Sequence, residues 1–263
     1  NNSLSVINNS DKGKSLSGIP IGVKDVFNTL DYPTEMGSPA WKNYKPCNDA
    51  RVVHDIRING GVIFGKTTTA EFAVHHLPAE KTRNPKNIEH TPGTSSSGSA
   101  AAVSAKMVPI ALGTQTAASI IRPASYTGTV GFKPSFGLIP RTGILKTADS
   151  LDSVGFFSNY IEDCKLIFKT THIKGKDYPY AQRYLNPEFS LDFNKNKIKI
   201  GIISSGLWVF QDYAIEIMDQ FHSFIDSLNK DIYEVNEIHI PHSWNNIHNV
   251  HQTIYDCSLS YYF

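Results

Sequence analysis

A chain of 263 residues with 40% hydrophobic and 11% aromatic content can bury a sizeable core and is not a disordered polypeptide. Its 25 Lys plus Arg against 24 Asp plus Glu leave a formal net charge of +1, which excludes a bulk electrostatic pull toward nucleic acid or an anionic membrane and points to a small ligand. Cys47, Cys164 and Cys257 are odd in number and widely spaced, with no CxxC or Cys/His pattern, so neither a disulfide framework nor a zinc site is indicated and a cytoplasmic setting fits. No apolar run approaches the roughly 18 residues of a membrane span, and the polar residues 1–14 do not read as a signal peptide.

In chain order, a short apolar strand at 18–23 delivers Lys24 and Asp25 at its end. Asp49 reads as the N-cap of a helix that presents Val52, Val53 and Ile56 on one face and stops at Asn59 and Gly60. A strand follows at 62–64. After a turn-rich loop through residues 82–85 comes a Ser/Gly segment, 94–99, leading into an alanine-rich helix at 100–105. Strands are predicted at 108–112 and 130–132. A β/α/β succession is predicted from a strand at 198–203, a helix at 212–228 and a strand at 232–240. From about Ser243, the spacing of Trp244, Ile247, Val250, His251 and Ile254 predicts an amphipathic helix running into Tyr261, Tyr262 and Phe263.

Residues 60–67, Gly-Gly-Val-Ile-Phe-Gly-Lys-Thr, match the written form of a phosphate-binding loop, GxxxxGK[ST]. Context opposes that reading. A phosphate cradle is a flexible loop between a strand and a following helix, whereas here the intervening residues are strand formers and a helix comes before them. His75 with His76, or His248 with His251, suggests metal ligation, but no third ligand stands at a suitable spacing. Glu71, Arg122 and Lys133 are assigned structural roles.

Three separated segments carry the chemistry. They are 18–25 (Gly-Ile-Pro-Ile-Gly-Val-Lys-Asp), 91–103 (Thr-Pro-Gly-Thr-Ser-Ser-Ser-Gly-Ser-Ala-Ala-Ala-Val) and 112–125 (Leu-Gly-Thr-Gln-Thr-Ala-Ala-Ser-Ile-Ile-Arg-Pro-Ala-Ser). Together they closely resemble the amidase signature family, small-amide branch, and the likeness extends through 131–141 and 150–155 and more loosely through 198–241. The resemblance implies an α/β fold: a single domain over 1–263, with a central mixed β-sheet covered by helices on both faces. Its core motifs would lie in 18–155 and a β/α/β part in 196–263. Members are longer, so the fold is expected to be incomplete on its C-terminal side.

Carried over by position, the nucleophile falls on Ser119, the bridging serine on Ser95, preceded by a cis peptide bond, and the lysine on Lys24. The oxyanion hole falls on the backbone N–H groups of Thr116, Ala117, Ala118 and Ser119. A serine hydroxyl needs a base to take its proton, and no histidine lies near these motifs. Lys24 must then be buried and held below the usual lysine range, so that it is neutral when it acts. The implied reaction splits a linear carboxamide through an acyl-enzyme, with no cofactor and no metal. A small-molecule amide is the expected partner, nucleic acid and membrane are not, and a homodimer is left open. Two other readings stand beside it: the catalytic subunit of a glutamine-dependent amidotransferase, and a degenerate or truncated member without turnover.

The sequence departs from the family pattern in three places. Ala117 and Ala118 replace the usual glycines, which would strain the loop if either required a positive φ. Thr94 replaces a glycine. Gln115 and Arg122 replace the common Asp/Arg arrangement around the nucleophile, a variant that favours small-amide amidases over amidotransferase subunits.

Overall fold

The computed structural model describes residues 13–74, 81–173, 197–203, 215–239 and 241–263. The chain divides into two units, Asn1–Leu185 together with Cys257–Phe263, and Asn186–Asp256. The first unit is built on a five-stranded mixed sheet of β1 (Pro20–Lys24), β2 (Val62–Thr67), β3 (Ile110–Gln115), β4 (Val130–Phe132) and β5 (Ser153–Ser158), in the order β2-β1-β3-β5-β4. β1 runs parallel to β2 and β3, while β5 runs antiparallel to β3 and β4.

Alternation along the strands sends neighbouring side chains to opposite faces. Ile21, Val23, Ile110, Leu112 and Phe156 enter one apolar cluster, with Val52, Val53 and Ile56 of α1 (Arg51–Ile58) and Cys164 and Ile167 of α4 (Ile161–Thr171). Ala111 and Phe157 enter the other, with Ala100 and Val103 of α2 (Ser97–Ser104) and Ala124 of α3 (Ile121–Thr127). The expected mixed sheet with helices on both faces is therefore present.

Asp49 is not the N-cap of α1. That position is Ala50, without a side-chain cap, and the Arg51 N–H instead donates to the carbonyl of Thr142 at 3.0 Å. Backbone from another segment thus satisfies a first-turn donor, which leaves the Asp49 carboxylate free to accept from Leu30 N and to pair with Arg57 at 2.9 Å. At the other end the helix stops as expected, with Asn59 as C-cap and Gly60 at φ +87°.

α2 starts three residues earlier than predicted, inside the Ser/Gly run, and buries Ser97, Gly98, Ser99, Ala100, Ala101 and Val103. A Cβ on Gly98 would stand 2.4 Å from Thr68 N, so only glycine lets the helix come this close to the end of β2. β3 extends past the predicted 108–112 to Gln115 because β5 supplies partners there, Gly113↔Gly155 and Gln115↔Ser153. β5, α3 and α4 are not among the predicted elements.

The second unit holds a parallel pair, β6 (Ile198–Ile202) and β7 (Tyr233–Glu237), with α5 (Ile215–Asp226) between them in sequence. These bounds sit inside the predicted strand, helix and strand; residues 204–214 and Ile240 lie outside the described residues. The last helix, α6, covers Ile247–Tyr262, and Trp244 belongs to a separate turn of 3-10 helix, His242–Trp244.

Candidate active site

β1 delivers Lys24 to the end of the sheet, where its side chain is completely buried. Lys24 Nζ donates to Ser95 Oγ at 2.8 Å and to Thr114 Oγ1 at 2.8 Å, with Thr114 O at 3.5 Å. Burial lowers its pKa from 10.5 to about 7, and the negative charge of Asp152 acts in the opposite sense. Near neutral pH the amine is therefore substantially uncharged, as a proton acceptor requires.

Ser95 follows a cis peptide bond, Thr94–Ser95, the position the family resemblance implied. Its carbonyl accepts from Ala70 N at 3.1 Å and Thr69 Oγ1 at 3.2 Å. The serines after it bolt the start of α2 to the sheet: Ser96 Oγ donates to Thr114 O and Ser99 Oγ to Leu112 O. Small hydroxyl side chains suit this place because they satisfy strand-end carbonyls while leaving the backbones close together.

Ser119 sits half-buried in the loop between β3 and α3. The structure brings Lys24 and Ser95 into contact; Ser119 Oγ makes no hydrogen bond among the described residues. The backbone N–H groups of Ala117, Ala118 and Ser119 likewise have no acceptor among the described residues, so three consecutive donors are unspent beside the serine hydroxyl. Neither alanine has a positive φ, so the strain foreseen for a Cβ at these positions does not arise.

Two side chains fix this loop. Gln115 Oε1 accepts from Ile120 N at 2.9 Å and Ile121 N at 3.0 Å, while its Nε2 donates to Ala117 O at 2.9 Å. Thr116 Oγ1 donates to Asp152 Oδ1 at 2.6 Å, and Asp152 also accepts from Thr147 Oγ1, Thr147 N and Ala148 N. Sequence reasoning missed Thr114 and Asp152 as parts of this site and noted Gln115 only as a departure. Asp152 lay within the quoted segment 150–155, but nothing local signals that a carboxylate there will meet a threonine 36 residues away.

The phosphate-loop lookalike lies on strand β2, Val62–Thr67, and its lysine is spent internally. Lys66 Nζ donates to Phe27 O, Pro33 O and Thr34 Oγ1 and pairs with Asp25 Oδ1 at 2.9 Å. Burial pushes the Lys66 ammonium down and the Asp25 carboxyl up, and the pairing opposes both shifts. Lys133 donates to Pro134 O at 2.7 Å, a structural contact. His75 and His76 lie outside the described residues. Among the described residues no group of three His, Cys, Asp or Glu is placed to hold a metal ion, and no helix is long and apolar enough to cross a membrane.

The sheet end thus joins a buried lysine to a serine, beside a loop of unspent N–H donors. The Amidase family pattern matches residues 4–260, and the chain belongs to that family. It is 34% identical over 238 residues to a glutamyl-tRNA(Gln) amidotransferase subunit of Gloeothece citriformis, covering 86% of this chain and 48% of the relative. It is 36% identical over 236 residues to the same-named protein of a Roseiflexus species, covering 87% and 48%. Among solved structures, the corresponding glutamyl-tRNA(Gln) amidotransferase subunit of Thermotoga maritima superposes with a TM-score of 0.81 at 28% identity, covering 98% of this chain and 61% of that one. The native peptide amidase of Stenotrophomonas maltophilia superposes at 0.75 and 28% identity, covering 94% and 54%. The chain thus spans about half the length of the curated relatives it matches.

Proposed function

We propose that this chain carries the catalytic centre of an amidase that hydrolyses linear carboxamides, with Ser119 as nucleophile, Ser95 as proton bridge and Lys24 as base. The observation that carries the reading is the fully buried, easily deprotonated Lys24 held 2.8 Å from Ser95 Oγ. Ser119 Oγ attacks the carbonyl carbon as its proton passes to Ser95 and the Ser95 proton passes to Lys24 Nζ. The carbonyl oxygen becomes an oxyanion, which takes hydrogen bonds from the free N–H groups of the loop 116–119. Collapse breaks the C–N bond, and the leaving nitrogen recovers the proton through Ser95. Water, deprotonated along the same path, then releases the acid and regenerates Ser119.

The test is direct. A fluorophosphonate probe should label Ser119 covalently, and Ser119→Ala should abolish labelling and lower amide turnover by about 10⁴-fold or more. Full turnover by the Ser119→Ala variant would falsify the assignment.

The names of the relatives favour a second reading, the catalytic subunit of a glutamine-dependent amidotransferase. Gln115 and Arg122 around the nucleophile weigh toward the small-amide reading. Co-purification with partner subunits, and turnover that depends on an ammonia acceptor, would move the assignment to the amidotransferase.

A further inference from the structure

Gln115 is buried at the end of β3 and spans the loop that carries Ser119. Its carboxamide is used directionally, the oxygen accepting two bonds and the nitrogen donating one. Two backbone N–H groups need an acceptor and one carbonyl needs a donor, so only one orientation of the amide satisfies all three contacts. An acidic side chain at this position could accept from Ile120 and Ile121 but, when ionised, could not donate to Ala117 O.

That last bond has a geometric consequence. Among the described residues the single cis peptide is Thr94–Ser95, so the Ala117–Ala118 peptide is trans and planar, with its C=O and N–H pointing in opposite directions. Drawing Ala117 O onto Gln115 Nε2 therefore turns the Ala118 N–H away from Gln115. The same side chain takes the Ile120 and Ile121 N–H groups, so the unspent donors are confined to the stretch that ends at Ser119. With the loop clasped in this way, positions 117 and 118 lie outside the left-handed region, where alanine is unstrained.

We propose that Gln115 is a positioning residue which, through its donor to Ala117 O and its acceptor to Ile120 N and Ile121 N, orients the Ala118 N–H to receive the oxyanion. The proposal rests on the amidase reading of the Ser119 loop. Gln115 itself touches no reacting atom; it acts through the peptide it holds.

The experiment compares the unsubstituted chain with Gln115→Met and Gln115→Glu. Three readouts are taken: the second-order rate constant for fluorophosphonate labelling of Ser119 between pH 5 and pH 8.5, the thermal midpoint, and amide hydrogen exchange at Ile120 and Ile121. Gln115→Met, close in length but without either polar contact, should be labelled about 100-fold more slowly, the scale of losing one oxyanion donor. Exchange at Ile120 and Ile121 should quicken at least about tenfold in this variant, since their acceptor is gone. Gln115→Glu should be labelled slowly at pH 8.5 and regain ground on acidification, because a protonated carboxyl can again donate to Ala117 O. Once each rate is divided by that protein's own fraction of neutral Lys24, which the added carboxylate lowers as the Asp152 charge does, the ratio to the unsubstituted chain should climb about threefold or more toward pH 5.

Labelling of Gln115→Met within about twofold of the unsubstituted chain would overturn the proposal, as would a Gln115→Glu ratio that stays flat with pH. Should Gln115→Met melt below the assay temperature, the Gln115→Glu ratio decides alone. If the unsubstituted chain is not labelled at Ser119, the amidase reading fails. The exchange rates at Ile120 and Ile121 then still judge the clasp, and unchanged rates would overturn it.

Discussion

On one face of the five-stranded sheet, Phe27, Ile56, Ile110, Leu112, Phe156 and Ile167 are sealed from water, and large apolar side chains set the distance between strands and helices. On the other face α2 meets the sheet through Ser97, Gly98, Ser99, Ala100 and Ala101, and the gap closes until a Cβ on Gly98 would strike the backbone of Thr68. The first face gains its stability from buried apolar area, while the second gives much of that up in return for close backbone approach and a supply of hydroxyl and carbonyl acceptors. Lys24 is the result: a completely buried amine whose neighbours are Ser95 and Thr114 rather than a carboxylate. A stable face thus carries a face built around a buried amine of lowered basicity, and substitutions on the two should separate stability from reactivity.

The largest effect belongs to Lys24→Met. The folded pKa of Lys24, about 7, lies below its ordinary 10.5, so between those values the unfolded chain binds the proton more tightly than the folded one. The fold therefore gains stability as pH rises from 7 toward 10.5, and below 7 it bears the full penalty, on the order of 4 to 5 kcal/mol. Lys24→Met removes that dependence together with the amine, the base of the proposed mechanism. Denaturant titrations should show a stability difference in favour of the variant that is greatest below pH 7 and shrinks as pH rises toward 10.5. A difference constant with pH would mean that the site face bears no electrostatic penalty, and the contrast between the faces would collapse.

Phe156→Ala tests the other side. Phe156 is fully buried and stacks near Phe132 with ring centroids 6.4 Å apart, so its truncation should cost about 3 to 5 kcal/mol in denaturation midpoint measurements. Probe labelling of the molecules that remain folded should stay within about threefold of the unsubstituted chain. A tenfold loss at full folding would show that the apolar face does more than hold the sheet.

Much of this division is legible in the chain itself, and the parts that are not share a cause. Short apolar runs predicted β1, β2 and β4, and a helix-spaced apolar face predicted α1, because each sends apolar side chains against the large core. α3 was missed because Arg122, Pro123 and Tyr126 break its periodicity, and β5 because Ser153, Gly155 and Ser158 dilute a strand that is buried throughout. The Lys24 and Ser95 pairing was reached through segments 71 residues apart, which no local pattern connects; family resemblance joined them. Thr114 and Asp152 stayed hidden because their roles depend on where the end of β3 lies against its neighbours. Asp49 failed as a cap for a similar reason, since the Thr142 carbonyl from a distant segment had taken the donor at Arg51.

The smallest expected effect probes that hidden layer. A charged Lys24 ammonium has three N–H donors and finds Ser95 Oγ, Thr114 Oγ1 and, at 3.5 Å, Thr114 O. Thr114→Val keeps the shape and the carbonyl but deletes one of the two short acceptors. The charged form loses more than the neutral one, because hydrogen bonds to an ionised group are the stronger. The acidic limb of the Ser119 labelling rate should therefore move from about pH 7 to lower pH by roughly one unit, worth about 1.4 kcal/mol. Thr114→Ser, which retains the hydroxyl, should leave the limb in place, and both variants should unfold within about 1 kcal/mol of the unsubstituted chain. A limb that moved upward, or failed to respond to Thr114→Val, would show that burial and the Asp152 charge, not the hydroxyl contacts, set the basicity of Lys24. The hydroxyls of the site face would then serve packing, as the apolar side chains do on the other.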